Sequence, residues 1–163
     1  MKEDSTDGIT DYMIHFFELP QDRGVKINLI SFLGQETYDA ALKNVCKAKG
    51  YYEREPELFI LYSDSFHKVV LNGIIQRQCP EQNTNGMENM ILEMKTLAPM
   101  TFPGLMKCHE FRNYSSRSTA YSQEYHKTNW KERREWLRRR NKLMGILPVT
   151  YKYLIEFLQK AAL

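Results

Sequence analysis

His67-Lys68-Val69-Val70-Leu71-Asn72-Gly73-Ile74-Ile75-Gln76-Arg77-Gln78 is the stretch on which the fold reading turns. Asn72-Gly73 tolerates the positive φ angles of a type I′ turn, whose twist matches that of paired strands. Apolar residues flank the pair on both sides, so the segment predicts a β-hairpin over 67–78.

Working toward the N-terminus, Leu58-Phe59-Ile60-Leu61-Tyr62 follows Pro56 and has the length of a buried strand. Residues 36–50 predict a helix: Tyr38, Ala41, Leu42, Val45 and Cys46 share a face, and Gly50 supplies a stop. Val25 to Leu33 is rich in apolar and β-branched residues and reads as a strand. Tyr12 to Leu19 reads as another, with a short helix as the other reading; Pro20 to Gly24 would turn between them. The expected fold class is α+β, a small mixed or antiparallel sheet with C-terminal helices. A β-grasp-like order fits the first 80 residues. A right-handed crossover from 25–33 through 36–50 to 58–62 fits nearly as well.

Toward the C-terminus, residues 79–86 have loop composition. Met87, Met90, Ile91, Met94 and Leu97 predict an amphipathic helix, whose methionines read more simply as core filling than as an adaptable groove. Pro99, Pro103 and Gly104 interrupt the pattern, and 105–128 reads as an extended arm without clean periodicity. Two helices close the chain, about 129–144 and, after Pro148, about 149–162. The expected organisation is a disordered tail over 1–9, an α+β core over 10–104, the arm over 105–128 and a helical pair over 129–163.

Of the 163 residues, 42% are hydrophobic and 12% aromatic, enough for a real core and against wholesale disorder. No apolar run is long enough for a membrane span. Met1 to Gly8 is polar and acidic, unlike a secretory signal, so a cytoplasmic or nuclear protein is expected, not a secreted one. Cys46, Cys79 and Cys108, odd in number and widely spaced, suit a reducing compartment. There Asn113-Tyr114-Ser115 carries no weight as a glycosylation pattern.

Glycine-rich phosphate loops, nucleophile elbows and Cys-x-x-Cys pairs are missing from the sequence. A zinc site from Cys79, Cys108, His109 and His126 would lack the closely spaced ligand pairs such sites usually show. Glu53, Glu55 and Glu57 read as a solvated acidic loop. The expectation is therefore a non-enzymatic protein, with no cofactor and no metal.

Charge supplies the clue to a partner. Residues 105–145 hold eleven Lys/Arg and four Glu, a net +7, against −4 for the remainder. In the helix that opens at Trp130, with Asn129 and Glu132 placed for a capping box, Arg outnumbers Lys five to two over 130–143. The planar guanidinium suits carboxylate or phosphate recognition. At 100° per residue Trp130, Leu137 and Met144 fall on one line, expected to pack on the domain; Trp136 and Leu143 lie about 100° away. Arg133 and Arg140 should lay their stems on tryptophan rings. Upstream, Arg112, Tyr114, Arg117, Tyr121 and Tyr125 alternate aromatic and basic character.

The candidate partner-binding residues are Arg112, Arg117, Tyr121, Tyr125, Lys131, Arg134, Arg138, Arg139 and Lys142. The expected partner is an acidic protein surface. In composition alone the segment resembles the arms of small proteins that decorate ciliary microtubules, which implies a cytoskeletal assembly. The alternatives are single-stranded RNA stacked on the aromatics and a calmodulin-type groove taking the helix.

Overall fold

The computed structural model describes residues 14, 23–81, 86–117 and 130–162, with the side chains of Arg23 and residues 115–117 left out. Among the described residues there is no strand: the elements are α1 (Arg23–Leu33), α2 (Gln35–Tyr51), α3 (Pro56–Gln78), α4 (Met87–Leu97), a 3-10 turn (Pro99–Thr101), α5 (Phe102–Arg117) and α6 (Trp130–Ala161). The expected α+β class, with its sheet, is thereby corrected to an all-helical fold. The tail expected over 1–9, the cap at Asn129 and, apart from a helical Ile14, the strand expected over 12–19 lie outside the described residues.

The physical reason for the correction is clearest in α3. This 23-residue helix absorbs both the expected strand at 58–62 and the expected hairpin at 67–78. It contacts each of the other five helices. Apolar residues therefore occur around most of its circumference, and the usual one-sided periodicity is lost. Phe59, Ile60, Phe66, Val70, Leu71, Ile74 and Ile75 are all buried. Gly73, expected to turn the chain, instead allows close packing: a Cβ there would lie 2.9 Å from Leu33 Cδ2 and 2.9 Å from Thr37 Cγ2. It sits where α3 crosses the junction of α1 and α2.

That junction is Gly34, at φ 91°, a backbone conformation that favours glycine. Its N–H closes α1 on the Ile30 carbonyl at 2.7 Å, and its own carbonyl accepts from Tyr38 N–H at 2.9 Å to open α2. The stretch read as a strand over 25–33 is a helix whose inward residues, Leu29, Phe32 and Leu33, keep helical spacing. α2 matches the expected helix, with Tyr38, Ala41, Val45 and Ala48 buried and Cys46 exposed. α4 matches its expected bounds and buries Met87, Met90, Ile91 and Met94 in the core.

Residues 102–117, read in part as an extended arm, form α5. Its buried stripe of Leu105, Cys108 and Phe111 is short and polar-flanked, which hid the period. Gly104 brings α5 against α6: a Cβ there would stand 1.6 Å from Thr150 Oγ1. The two expected C-terminal helices are one. α6 runs 32 residues, through Pro148, which is buried. Proline removes one rung of the helical ladder, and packing of Leu147, Tyr151, Leu154, Ile155 and Leu158 against the core holds the helix on both sides.

Candidate functional site

Two arrangements carry unusual chemistry, a basic outer face on α5 and α6 and a polar cluster inside the bundle that α3 shares with them.

The basic face begins with which side of α6 is buried. Trp136 is only 3% exposed and Leu143 2%, whereas Trp130 is 57% exposed. The line Trp130–Leu137–Met144 is thus an edge of the buried face, not its centre; Leu137 and Met144 are half-buried. Trp136 packs on Phe111 of α5 with ring centroids 5.8 Å apart. Arg140 behaves as expected, its guanidinium 5.7 Å from the Trp136 ring, and it also pairs with Glu57 at 2.8 Å. Glu57 accordingly is half-buried and paired, unlike the exposed Glu53 and Glu55.

Lys131, Arg134, Arg138, Arg139 and Lys142 are all exposed on α6. The Arg134 guanidinium stacks 4.6 Å from the Trp130 ring centre, and Lys131 Nζ lies 5.9 Å from it. Arg138 donates to both carboxylate oxygens of Glu135, Nε at 2.9 Å and Nη2 at 2.7 Å. Arg139 Nε donates to the same carboxylate at 2.9 Å, and its guanidinium lies 4.3 Å from the Tyr114 ring. These hydrogen bonds, that from Arg138 foremost, hold the Glu135 carboxyl down at about 2. Between α5 and α6 runs a groove whose floor is Phe111, Leu143 and Ile146. Lys107, Arg138, Arg139 and Lys142 line it, with Glu110 as its single anion.

Of the other candidate residues, Arg112 points inward and belongs to the interior cluster. The Arg117 side chain, Tyr121 and Tyr125 lie outside the described residues.

The interior cluster joins three helices. Ser63, Asp64 and His67 come from α3, Cys108, His109 and Arg112 from α5, and Tyr151 from α6. Ser63 donates to the Phe59 carbonyl at 2.7 Å and is hydrogen-bonded to the Tyr151 hydroxyl. Asp64 is fully buried, and its Oδ2 accepts from Arg112 Nη1 at 2.9 Å. Its other oxygen lies 4.0 Å from His109 Nδ1, and neither atom has a hydrogen-bond partner. His67 is fully buried with both ring nitrogens unpartnered. Burial lowers the His67 imidazole to about 3, keeping it neutral. Burial likewise pushes up the Asp64 carboxyl, against the opposing pull of Arg112, and the Cys108 thiol, where the Asp64 charge adds to the effect. One ligand atom each from Asp64, His67 and Cys108 lies within 4.8 Å of the other two.

Sequence reasoning missed this cluster. Asp64 and His67 stand three residues apart, a same-face spacing on a helix but an opposite-face spacing on a strand. Reading 67–78 as a hairpin erased the signal. Among the described residues no helix is long and apolar enough to cross a membrane. No protein-family model, curated protein or solved structure matches this chain.

Proposed function

We propose that this chain is a non-enzymatic interaction protein of the cell interior that docks an acidic protein segment on the basic face of α6. The observation that carries the reading is Trp130, a large aromatic 57% exposed and stacked under Arg134. Tryptophan and arginine are among the residues enriched at binding hot spots. Three further features support it. Further along α6, meeting the Trp130 surface at Arg138, the groove against α5 is lined by four cations over an apolar floor. Glu135 fixes Arg138 and Arg139 in place, so less side-chain freedom is lost on binding. Arginine, which dominates the face, presents paired donors to a carboxylate.

The segment that fits is acidic with an apolar or aromatic anchor. A cytoskeletal polymer with an acidic surface, such as a tubulin lattice, has this chemistry. The test uses the full chain against a labelled glutamate-rich peptide, polymerised microtubules and a labelled single-stranded RNA. Saturable binding to peptide or microtubules, weakened at least tenfold by Trp130→Ala, supports the reading. Binding to RNA alone, with a steep salt dependence, overturns it in favour of a nucleic-acid partner. A calmodulin-type groove is disfavoured by the burial of Trp136 and Leu143, because the apolar face of the helix is already occupied by its own domain.

A further inference from the structure

We infer that Asp64, His67 and Cys108 form a site for a divalent transition-metal ion of the zinc class, held between α3 and α5 at the centre of the bundle. This stands on the interior cluster and is independent of the docking face.

The geometry comes first. Asp64 and His67 are three residues apart on α3 and project to the same side, and Cys108 faces them from α5. Their ligand atoms lie within 4.8 Å of one another. A tetrahedral zinc site, with bonds of about 2.0–2.3 Å, sets its ligand atoms roughly 3.3–3.8 Å apart. The triad thus closes on an ion by moving inward about 1 Å or less, within the reach of side-chain adjustment.

The second observation is independent of that spacing. All three side chains are fully buried, yet both nitrogens of His67 and Oδ1 of Asp64 have no hydrogen-bond partner. Buried polar atoms in folded proteins are nearly always paired, and those that are not call for a water, an ion or a functional reason. A metal would satisfy a nitrogen of His67 and the free oxygen of Asp64 together.

The donor chemistry selects the ion. Thiolate, imidazole and carboxylate together suit zinc and its neighbours in the first transition row. Calcium and magnesium require oxygen ligands, which Cys108 and His67 do not offer. On binding, Cys108 gives its proton to solvent, the imidazole binds neutral and Asp64 binds as carboxylate. Thiolate and carboxylate then balance the two charges of the ion. Arg112 already holds Asp64 through Oδ2, leaving Oδ1 for the metal and fixing the carboxylate from outside, the role of an outer-shell partner. Arg112 and His109 are the partly exposed members of the cluster, so the ion would reach the site along their edge.

The experiment uses the full chain, stripped with a chelator and titrated with Co2+ alone. The expected result is a thiolate-to-cobalt charge-transfer band with tetrahedral visible bands, saturating at one ion per chain and abolished by one equivalent of Zn2+. Cys108→Ser should remove the charge-transfer band and weaken Co2+ binding at least tenfold. Cys46→Ser and Cys79→Ser should change neither. His67→Leu should likewise weaken binding tenfold or more while keeping the helical circular dichroism. Should Cys108→Ser or His67→Leu fail to fold, the wild-type titration decides with the Cys46 and Cys79 variants. No charge-transfer band in the wild-type chain, or one lost with Cys46 or Cys79, overturns the site.

Discussion

Arg112 reaches from α5 into the bundle and binds the fully buried carboxylate of Asp64 at 2.9 Å, while its own side chain stays 37% exposed. Charge and composition group Arg112 with the outward arginines of α6, but it does different work. It is the only group hydrogen-bonded to that carboxylate among the described residues. Arg112 therefore stands apart from the proposed docking face of α6.

Arg112→Leu should destabilise the fold and leave docking alone. Removing one partner of a buried ion pair costs about 3–5 kcal/mol, and the partial exposure of Arg112 lowers the expectation to roughly 2–4 kcal/mol. Urea unfolding measures it. An unchanged midpoint, or a loss of peptide affinity at full stability, would return Arg112 to the outer face.

The two tryptophans of α6 should separate in the opposite way. Trp136→Ala removes a ring packed on Phe111 and should cost about 3–5 kcal/mol. Trp130→Ala should stay within about 0.5 kcal/mol of wild type, as exposed substitutions do, and weaken partner binding by tenfold or more. Paired melting and affinity measurements on both variants check the assignment; equal losses of stability would contradict it.

How far the sequence carries depends on how each helix is buried. α2 and α4 are half-buried, so Tyr38, Ala41 and Val45, or Met87, Met90 and Met94, fall into a legible stripe. α3 is surrounded, and nothing in Val69-Val70-Leu71 or Ile74-Ile75 separates a central helix from a buried strand. Asn72-Gly73 then favours a hairpin, although Gly73 serves close packing, a property of neighbours far away in sequence. In the same way the basic face is readable from charge, but which tryptophan stays exposed and which packs is not. Trp130 and Trp136 are both compatible with an amphipathic arc, and only the position of Phe111 decides between them. The interior cluster needs Cys108 and Tyr151 brought to Asp64 by packing, for which local sequence offers no spacing.

Gly104→Ala should be among the most damaging single-methyl substitutions. Its Cβ would sit 1.6 Å from Thr150 Oγ1, so α5 and α6 must part or Thr150 must rotate away from its bond to the Ile146 carbonyl. Overpacking of this kind costs about 1–3 kcal/mol, and this contact belongs at the upper end. Adding Thr150→Ala removes the nearest atom but leaves the Thr150 Cβ 2.8 Å away. The double variant should therefore recover only part of the loss, read as a less-than-additive pair in thermal unfolding. Full additivity would mean that the two helices do not meet at this point.

Charge reversal of Arg138 and Arg139 to Glu tests the docking face most directly. Both are exposed and bound to Glu135, so the reversal sets three carboxylates on adjoining turns of α6. Like charges at such spacings cost only about 0.2–0.5 kcal/mol each, so the fold should survive with a small drop in melting temperature. Binding to an acidic peptide should vanish, because attraction is replaced by repulsion across the groove. Glu135→Gln removes the charged clamp that orders Arg138 and Arg139, and should weaken peptide binding by less than the double charge reversal does. Acidity gives a further handle, with its sign fixed by the low value of Glu135. A carboxyl held at about 2 keeps its charge, and its bonds to the arginines, from above its ordinary value near 4.5 down to about pH 2. Free glutamates of a partner protonate near pH 4.3. Peptide binding should thus fall away between about pH 5 and 4 while the Glu135 carboxyl resonance still reports an ionised group. If the Glu135 signal titrates along with the loss of binding, the clamp on Arg138 and Arg139 does not persist in solution, and the arginines meet their partner unordered.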